Sequence, residues 1–335
     1  MRNIFSALIL MLILAGCQGE KSEYLKVSGV AQGTTYHITY ENSKQEDYSA
    51  DIDSILKAFD QSLSIYDSTS IISRINNNDP TVEVDDWFMD VFKKSVEVNA
   101  ISEGALDITI GPVVHAWGFG NALIAKHDTA YIDSLLQYVG MEKVTLEGRK
   151  VIKKQPGVTL DVNAVAQGYS VDVISLFFEG KGIKNYLVEI GGEVRCKGTN
   201  AKNKVWRIGI DKPTDGNMTP KGELQAIIEL NNKSLTTAGN YRKFFVENGI
   251  KYGHTIDPKT GFPARNTLLS ATVVCDDAMT ADAYDTAFMV LGLEKSKELL
   301  KKLPGIEVYF IYSNAQGEYE VYFSEGMKKR IVQEP

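Results

Sequence analysis

Cysteine and histidine are scarce in this chain, with three and four among 335 residues. Cys17 stands near the N-terminus, so only Cys196 and Cys275 fall in the body of the protein. Two cysteines in a large domain do not make a disulfide scaffold; from sequence they are as compatible with buried free thiols as with a pair formed in an oxidising compartment. No Cys/His set has zinc spacing, and there is neither a Gly-x-x-x-x-Gly-Lys-Ser/Thr phosphate loop nor a nucleophile elbow. The net charge is −7, and no Lys/Arg run is long enough to draw nucleic acid or an anionic surface by charge. Beyond residue 14 no apolar run reaches the roughly 20 residues needed to span a bilayer. Short repeats, low-complexity tracts and linker-like stretches are also missing, which leaves one ordinary globular domain with ample core.

The N-terminus is different. Arg2 supplies a positive start, Ile4 to Leu14 is almost purely apolar, and Leu14-Ala15-Gly16-Cys17 brings small residues up to a cysteine. That order describes a secretory signal peptide with its cleavage site. The cysteine at the cleavage point is similar to a bacterial lipobox, in which Cys17 carries the lipid. The expectation is a signal peptide over 1–16, a lipidated polar tether over 17–23 and a domain over 24–335, on a membrane facing the periplasm.

Along the domain, Tyr24 to Val30 and Thr34 to Tyr40 alternate as two strands around Ala31-Gln32-Gly33. Helical spacing marks Ile52, Ile55, Leu56, Phe59 and Leu63, and again Phe88, Val91, Phe92 and Val96. A short helix through Ile132, Leu135, Leu136 and Val139 is expected to stop at Gly140, and Lys143 to Lys153 reads as a hairpin turning at Glu147-Gly148-Arg149. Val158 to Val162 is expected as a strand feeding a helix from Asn163 to Phe178, with Asn163 as N-cap. Tyr186 to Ile190 reads as a buried strand ending at Gly191-Gly192, and strands dominate from Val194 to Val246. Ser270 to Cys275 reads as a strand, Ala278 to Leu291 as a helix, and Ile306 to Phe323 as a closing hairpin. Runs of antiparallel strands mixed with helices make the fold class α+β.

Four segments have chemical content. In Thr280-Ala281-Asp282-Ala283-Tyr284-Asp285-Thr286, a helix puts Asp282, Asp285 and Thr286 on one face at i, i+3 and i+4. Such an oxygen cluster suits Mg²⁺, although acidic residues at a solvated helix start have the same pattern. In Asp161-Val162-Asn163, the start of a helix offers N–H groups to an anion, or is simply capped. Gly191-Gly192-Glu193 permits close approach of a ligand or a tight turn. His254, before the turn Asp257-Pro258-Lys259-Thr260-Gly261, has the side chain of a general base near neutral pH, or of an ordinary surface histidine.

The order of these segments is more telling than any one of them. Gly33-Thr34-Thr35-Tyr36, Ser64-Ile65-Tyr66, Gly104 to Pro112, Trp117-Gly118-Phe119-Gly120, Asp161 to Asp172, Gly191-Gly192-Glu193, His254 to Gly261 and Ala281-Asp282 to Thr286 together resemble the ApbE family of flavin transferases, over essentially the whole mature chain. The resemblance implies a T-fold-like single domain of mixed, largely antiparallel sheets flanked by helices. It implies an enzyme that binds FAD, uses Mg²⁺, transfers FMN to a threonine hydroxyl of a partner flavoprotein, such as a subunit of a membrane redox pump, and releases AMP. By the same resemblance the metal is held by Ala164 through its backbone oxygen, by Asp282 and by Thr286, with Asp285 beside them. Gln32, Tyr66, Ala105, Leu106, Asp107, Asp161, Gln167 and Ile256 line the flavin or adenine nucleotide, and His254 is the base. Two positions depart from the pattern: many relatives have Met at Gln32, and Lys or Glu at Gln167. The competing readings are an FAD pyrophosphatase and an FAD-binding lipoprotein without turnover.

Overall fold

The computed structural model describes residues 23–118, 128–213, 223–240, 244–247, 250–253 and 255–333. The expected leader and tether over 1–22, the expected lipidation site Cys17, Phe119-Gly120 and the expected base His254 lie outside the described residues.

In chain order the elements are β1 (Tyr24–Ala31), β2 (Thr34–Glu41), α1 (Ser49–Leu63), α2 (Ile71–Asn76), α3 (Asp86–Ile101), α4 (Gly111–Ala116), α5 (Thr129–Leu136), β3 (Val144–Glu147), β4 (Lys150–Lys153), α6 (Asn163–Gly180), β5 (Tyr186–Ile190) and β6 (Glu193–Lys197). They continue with β7 (Trp206–Asp211), β8 (Leu224–Leu230), β9 (Ser234–Gly239), β10 (Phe244–Glu247), β11 (Ile250–Gly253), β12 (Leu268–Cys275), α7 (Ala278–Leu291), α8 (Leu293–Leu300), β13 (Glu307–Ser313), β14 (Tyr319–Phe323), α9 (Glu325–Lys328) and β15 (Ile331–Gln333). Eight strands form one sheet in the order β1-β2-β5-β6-β9-β12-β13-β14, and every neighbouring pair runs antiparallel. A three-stranded sheet, β15-β8-β7, and the hairpins β3-β4 and β10-β11 complete the strands among the described residues. The single α+β domain of antiparallel sheets and flanking helices is therefore as the sequence pattern suggested.

Period-two burial explains how the layers meet. On β2 and β5 the buried side chains are Tyr36, Ile38, Tyr40, Tyr186, Val188 and Ile190, and they pack on Ile52 and Leu56 of α1 and on Val171, Ile174 and Phe178 of α6. Ala271, Val273 and Phe310 of β12 and β13 pack on Ala281, Tyr284 and Phe288 of α7. Val194, Leu235, Val274 and Tyr309 point to the other face, against Ile210, Ala226, Ile228 and Leu230 of the small sheet. Each fully buried large side chain contributes about 1.5–3 kcal/mol. Helix α7 is buried nearly all round, with Ala281, Asp282, Ala283, Tyr284, Asp285, Ala287, Phe288 and Met289 inside. A helix enclosed on every side normally carries no charge, so its two aspartates stand out.

Three local expectations are corrected. Val158 to Val162 is not a strand; its one ladder contact is an isolated bridge between Thr159 and Ile110. The Leu160 backbone is satisfied instead by the Asn76 amide, whose Nδ2 donates to the Leu160 oxygen at 2.9 Å and whose Oδ1 accepts from the Leu160 N–H at 2.7 Å. Asn163 is the first residue of α6 rather than its cap, because the Val162 carbonyl accepts the first helical bonds, from Val165 at 2.9 Å and Ala166 at 2.8 Å. Helix α5 ends at Leu136, short of Val139, and Gly140 follows with φ 141°. Cys196 and Cys275 are both buried and unpaired; burial pushes each thiol up to about 12, which makes them inert apolar side chains.

Candidate active site

The site is built where α6 crosses α7. Gly168 is required at that crossing: a Cβ there would stand 2.3 Å from the Ala278 carbonyl oxygen and 2.7 Å from Asp282 Cβ. With no side chain between them, the Gly168 N–H reaches Asp282 Oδ2 at 2.8 Å. In a regular helix that N–H would serve the Ala164 carbonyl, so Asp282 competes with Ala164 for it and the carbonyl keeps capacity for a further partner. The Gly168→Ala variant is expected to lose about 1–3 kcal/mol of stability by overpacking, read as a lower urea midpoint at unchanged m-value; a midpoint equal to the parent's would show that the helices separate without cost.

Asp282 and Asp285 are 6% and 1% exposed. Burial raises the Asp282 carboxyl to about 7. Burial, and then the neighbouring Asp282 charge, raise Asp285 well above the ordinary carboxylate range. Thr286 Oγ1 donates to Asp285 Oδ1 at 3.4 Å, while the buried Asp285 Oδ2 has no hydrogen-bond partner among the described residues. Among the described residues no Lys or Arg pairs with either carboxylate. Two buried carboxylates, one with an orphaned oxygen, are an unbalanced arrangement unless a cation joins them. The donors are all hard oxygens, which fits a magnesium-like ion rather than a soft metal.

On α6, just before the Gly168 that bonds Asp282, Asn163, Ala166 and Gln167 line a cleft of 360 Å³ together with Gln32, Gly33 and Tyr66. A second hollow of 220 Å³, lined by Tyr66 with Ile65, Ser68, Ser73, Asn76 and Asn77, adjoins it. Tyr66 belongs to both and is 56% exposed, so an aromatic face is offered to a ligand. Its phenol is raised by burial and then by the Asp161 charge, and burial raises the Asp161 carboxyl as well.

Gln32 occupies the β1–β2 turn with φ 55°. Its Oε1 accepts from Ser170 Oγ at 3.1 Å, which ties the turn to α6, and its buried Nε2 has no partner among the described residues. Gln167 Nε2 donates to Glu193 Oε2 at 2.9 Å and to the Ile190 oxygen at 3.3 Å. That amide lies against Gly191, where φ is +65° and a Cβ would be 1.8 Å from Gln167 Nε2. Both the positive φ and the close approach therefore require glycine at this strand end.

Of the residues expected from sequence, Gln32, Tyr66 and Gln167 meet in the cleft, and Asp282, Asp285 and Thr286 share one helix face on α7. Ala105, Leu106, Asp107 and Ile256 are not among the cleft lining. Ala105 and Leu106 are 4% and 3% exposed and belong to the main core. Burial raises the Asp107 carboxyl, which nonetheless accepts from Thr109 N at 2.8 Å, Thr109 Oγ1 at 2.5 Å and Met141 N at 3.2 Å. Ile256 lies in a separate apolar cluster with Val113, Trp117 and Ile132. Besides Asn163, from the expected anion-binding helix start, the cleft uses Phe59, Asp60, Leu63 and Ser64 at the end of α1 and Ala166 on α6, none of them expected as a ligand contact. The helical period marks Phe59 and Leu63 as core and says nothing of a cleft.

Similarity to known proteins follows the same lines. The profile described as the ApbE family matches residues 32–310. The FAD:protein FMN transferase of Haemophilus influenzae is 37% identical over 334 residues, covering 95% of each chain. That of Vibrio cholerae is 37% identical over 305 residues, covering 88% of this chain and 89% of the relative. Among solved structures, the flavin transferase ApbE from Vibrio cholerae superimposes with a TM-score of 0.83 at 33% identity, covering 92% of this chain and 99% of that one. An oxygen-lined acidic pair and an aromatic cleft, on this sheet order and with this extent of similarity, lead to one conclusion: the chain belongs to the ApbE family.

Proposed function

We propose that this protein is an FAD:protein FMN transferase that, with Mg²⁺, moves FMN from FAD onto a threonine hydroxyl of a partner flavoprotein and releases AMP. The observation that carries the reading is the buried carboxylate pair on α7, bonded to α6 through Gly168, where the preceding residues of α6 line a cleft that presents Tyr66. The names of the relatives support flavin transfer to protein; the donor set supports the metal.

Ala164 through its carbonyl, Asp282, Asp285 and Thr286 would hold Mg²⁺. When bound, the ion supplies positive charge where the pyrophosphate oxygens gain negative charge. The protein's own part is placement. Tyr66 gives a planar ring a surface to stack on, a contact worth about 1–3 kcal/mol for aromatic bases. Gln32 and Gln167 offer amide groups fixed by Ser170 and Glu193. The FMN phosphorus of FAD would then be the centre attacked by the acceptor hydroxyl, and His254 would take the hydroxyl proton, an effect of about 10²–10⁴-fold for a positioned base. The hydroxyl oxygen forms the new bond to the FMN phosphorus as the bond to the bridging oxygen breaks, and AMP leaves. Export and a lipid on Cys17 would keep the enzyme on the surface where membrane-bound acceptors lie, raising their effective concentration.

The test uses soluble protein beginning after Cys17, FAD, Mg²⁺ and a redox-pump subunit with an acceptor threonine. Intact mass spectrometry of the acceptor is expected to show an added FMN that EDTA abolishes. Release of AMP and FMN without any gain on the acceptor would replace the transferase by a pyrophosphatase, and tight FAD binding without turnover would replace both by a carrier.

A further inference from the structure

Asp172 and Arg195 make no hydrogen bond to the α7 carboxylates, although the Asp172 charge acts on Asp282, and both carboxylate oxygens of Asp172 bond to the backbone of α7. Asp172 is on α6, four residues after Gly168, and is 3% exposed. Its Oδ1 accepts from the Ala278 N–H at 2.9 Å and its Oδ2 from the Met279 N–H at 2.8 Å. These are the first two residues of α7, whose N–H groups have no partner within their own helix. The local cap is a different residue: Asp277 already accepts the Thr280 N–H. Asp172 is therefore a tie between two helices.

Burial raises the Asp172 carboxyl, and Arg195 of β6 opposes that rise, with Nη1 at 2.6 Å from Asp172 Oδ1. Arg195 also faces Glu179 of α6 at 3.6 Å. The same strand begins at Glu193, which accepts from Gln167 in the cleft. Two ties thus join α6 to α7, a turn apart on each helix: Gly168 N–H to Asp282, and Asp172 to Ala278 and Met279. One tie alone lets α7 pivot; two fix its rotation and its advance along α6, and with them the direction in which Asp282, Asp285 and Thr286 point.

We propose that Asp172, held by Arg195, is a positioning residue for the metal-binding face of α7. The inference rests on the reading of Asp282 as a ligand given above. Its consequence is specific: loosening the tie weakens metal binding more than it weakens the fold, since supports of metal ligands alter affinity by about 10–100-fold.

The experiment titrates Mn²⁺ into the full chain in detergent, without FAD or acceptor, and reads the free ion by EPR. Asp172→Asn is expected to raise the dissociation constant about ten-fold or more, and in the transfer assay to raise the Mg²⁺ half-saturation while kcat at saturating Mg²⁺ stays within about three-fold of the parent. Because Arg195 then keeps only Glu179 as a countercharge, the double variant Asp172→Asn/Arg195→Met is measured beside it, with melting in EDTA to show that it folds. Either folded variant binding Mn²⁺ as tightly as the parent would overturn the proposal. Asp282→Ala separates the two levels: if it too binds like the parent, the ligand assignment fails; if it loses Mn²⁺ while the Asp172 variants keep it, only the positioning role fails.

Discussion

Replacing Asp282 by alanine or by asparagine is expected to lower FMN transfer by at least about 10²–10³-fold, read as the initial rate of mass gain on the acceptor. The two variants differ in an instructive way. Asp282 Oδ2 already holds the Gly168 N–H at 2.8 Å, and asparagine can keep that bond through its carbonyl oxygen while losing the negative charge. Alanine loses both. If the charge is what matters, the two variants fail alike, and raising Mg²⁺ rescues neither. A rate for Asp282→Asn within a few-fold of the parent would mean that Asp282 acts only as a brace between α6 and α7, and the ion would have to be held elsewhere. Asp285→Asn is expected to behave in the same direction, because its Oδ2 is the one buried carboxylate oxygen on this face with no protein partner among the described residues.

The second large effect is on stability and runs opposite to the usual carboxylate case. Burial holds the Asp282 carboxyl at about 7, against an ordinary value of 3.8, and raises Asp285 well above that value too. The folded, metal-free protein therefore keeps protons that the unfolded chain releases above about pH 4. On account of this pair, stability is fully present below pH 4 and is lost as pH rises through 7. Metal-free protein in EDTA is expected to melt lower at pH 8 than at pH 5, by on the order of 5 °C. Mg²⁺ binds the ionised carboxylates, so it should restore the midpoint at pH 8 and do little at pH 5. Asp285→Asn should flatten the EDTA profile and melt above the parent at pH 8. An unchanged midpoint across this range in EDTA, or an equal Mg²⁺ shift at both pH values, would show that the pair carries no such proton linkage.

The same helix shows where a linear reading stops. Spacing placed Asp282, Asp285 and Thr286 on one face of a helix from Ala278 to Leu291, and that is the helix found. What spacing left open was whether this face met water. The answer lies in residues distant in the chain: Ala271, Val273 and Phe310 on one side, and Gly168 on another. Asp172 is a sharper case. Within its own segment it is one more polar residue on an apolar helix, and its role depends on the N–H groups of Ala278 and Met279, more than a hundred positions away. Asn163 has a good capping residue's side chain, yet the first helical bonds run to the Val162 carbonyl, from Val165 and Ala166 at 2.9 and 2.8 Å, so the helix begins one residue earlier than residue type suggests. Val158 to Val162 has a strand's alternation, yet a side-chain amide from α2 satisfies it in place of a neighbouring strand.

Local periodicity and residue type account for a definite share of the molecule. That covers the β1–β2 hairpin around Gln32-Gly33, the long helices, the closing hairpin, the α+β class, and the pairing of carboxylates with a hydroxyl on α7. Tertiary structure alone decided the electrostatics of the site. Burying α7 on every side converts two ordinary aspartates into carboxyls that resist ionising without a cation. The missing side chain at Gly168 brings α6 close enough for its backbone to grip one of them. Both effects arise from desolvation and from sub-3 Å approach between segments over a hundred residues apart, and neither has a signature in any stretch of chain short enough to be read as a pattern.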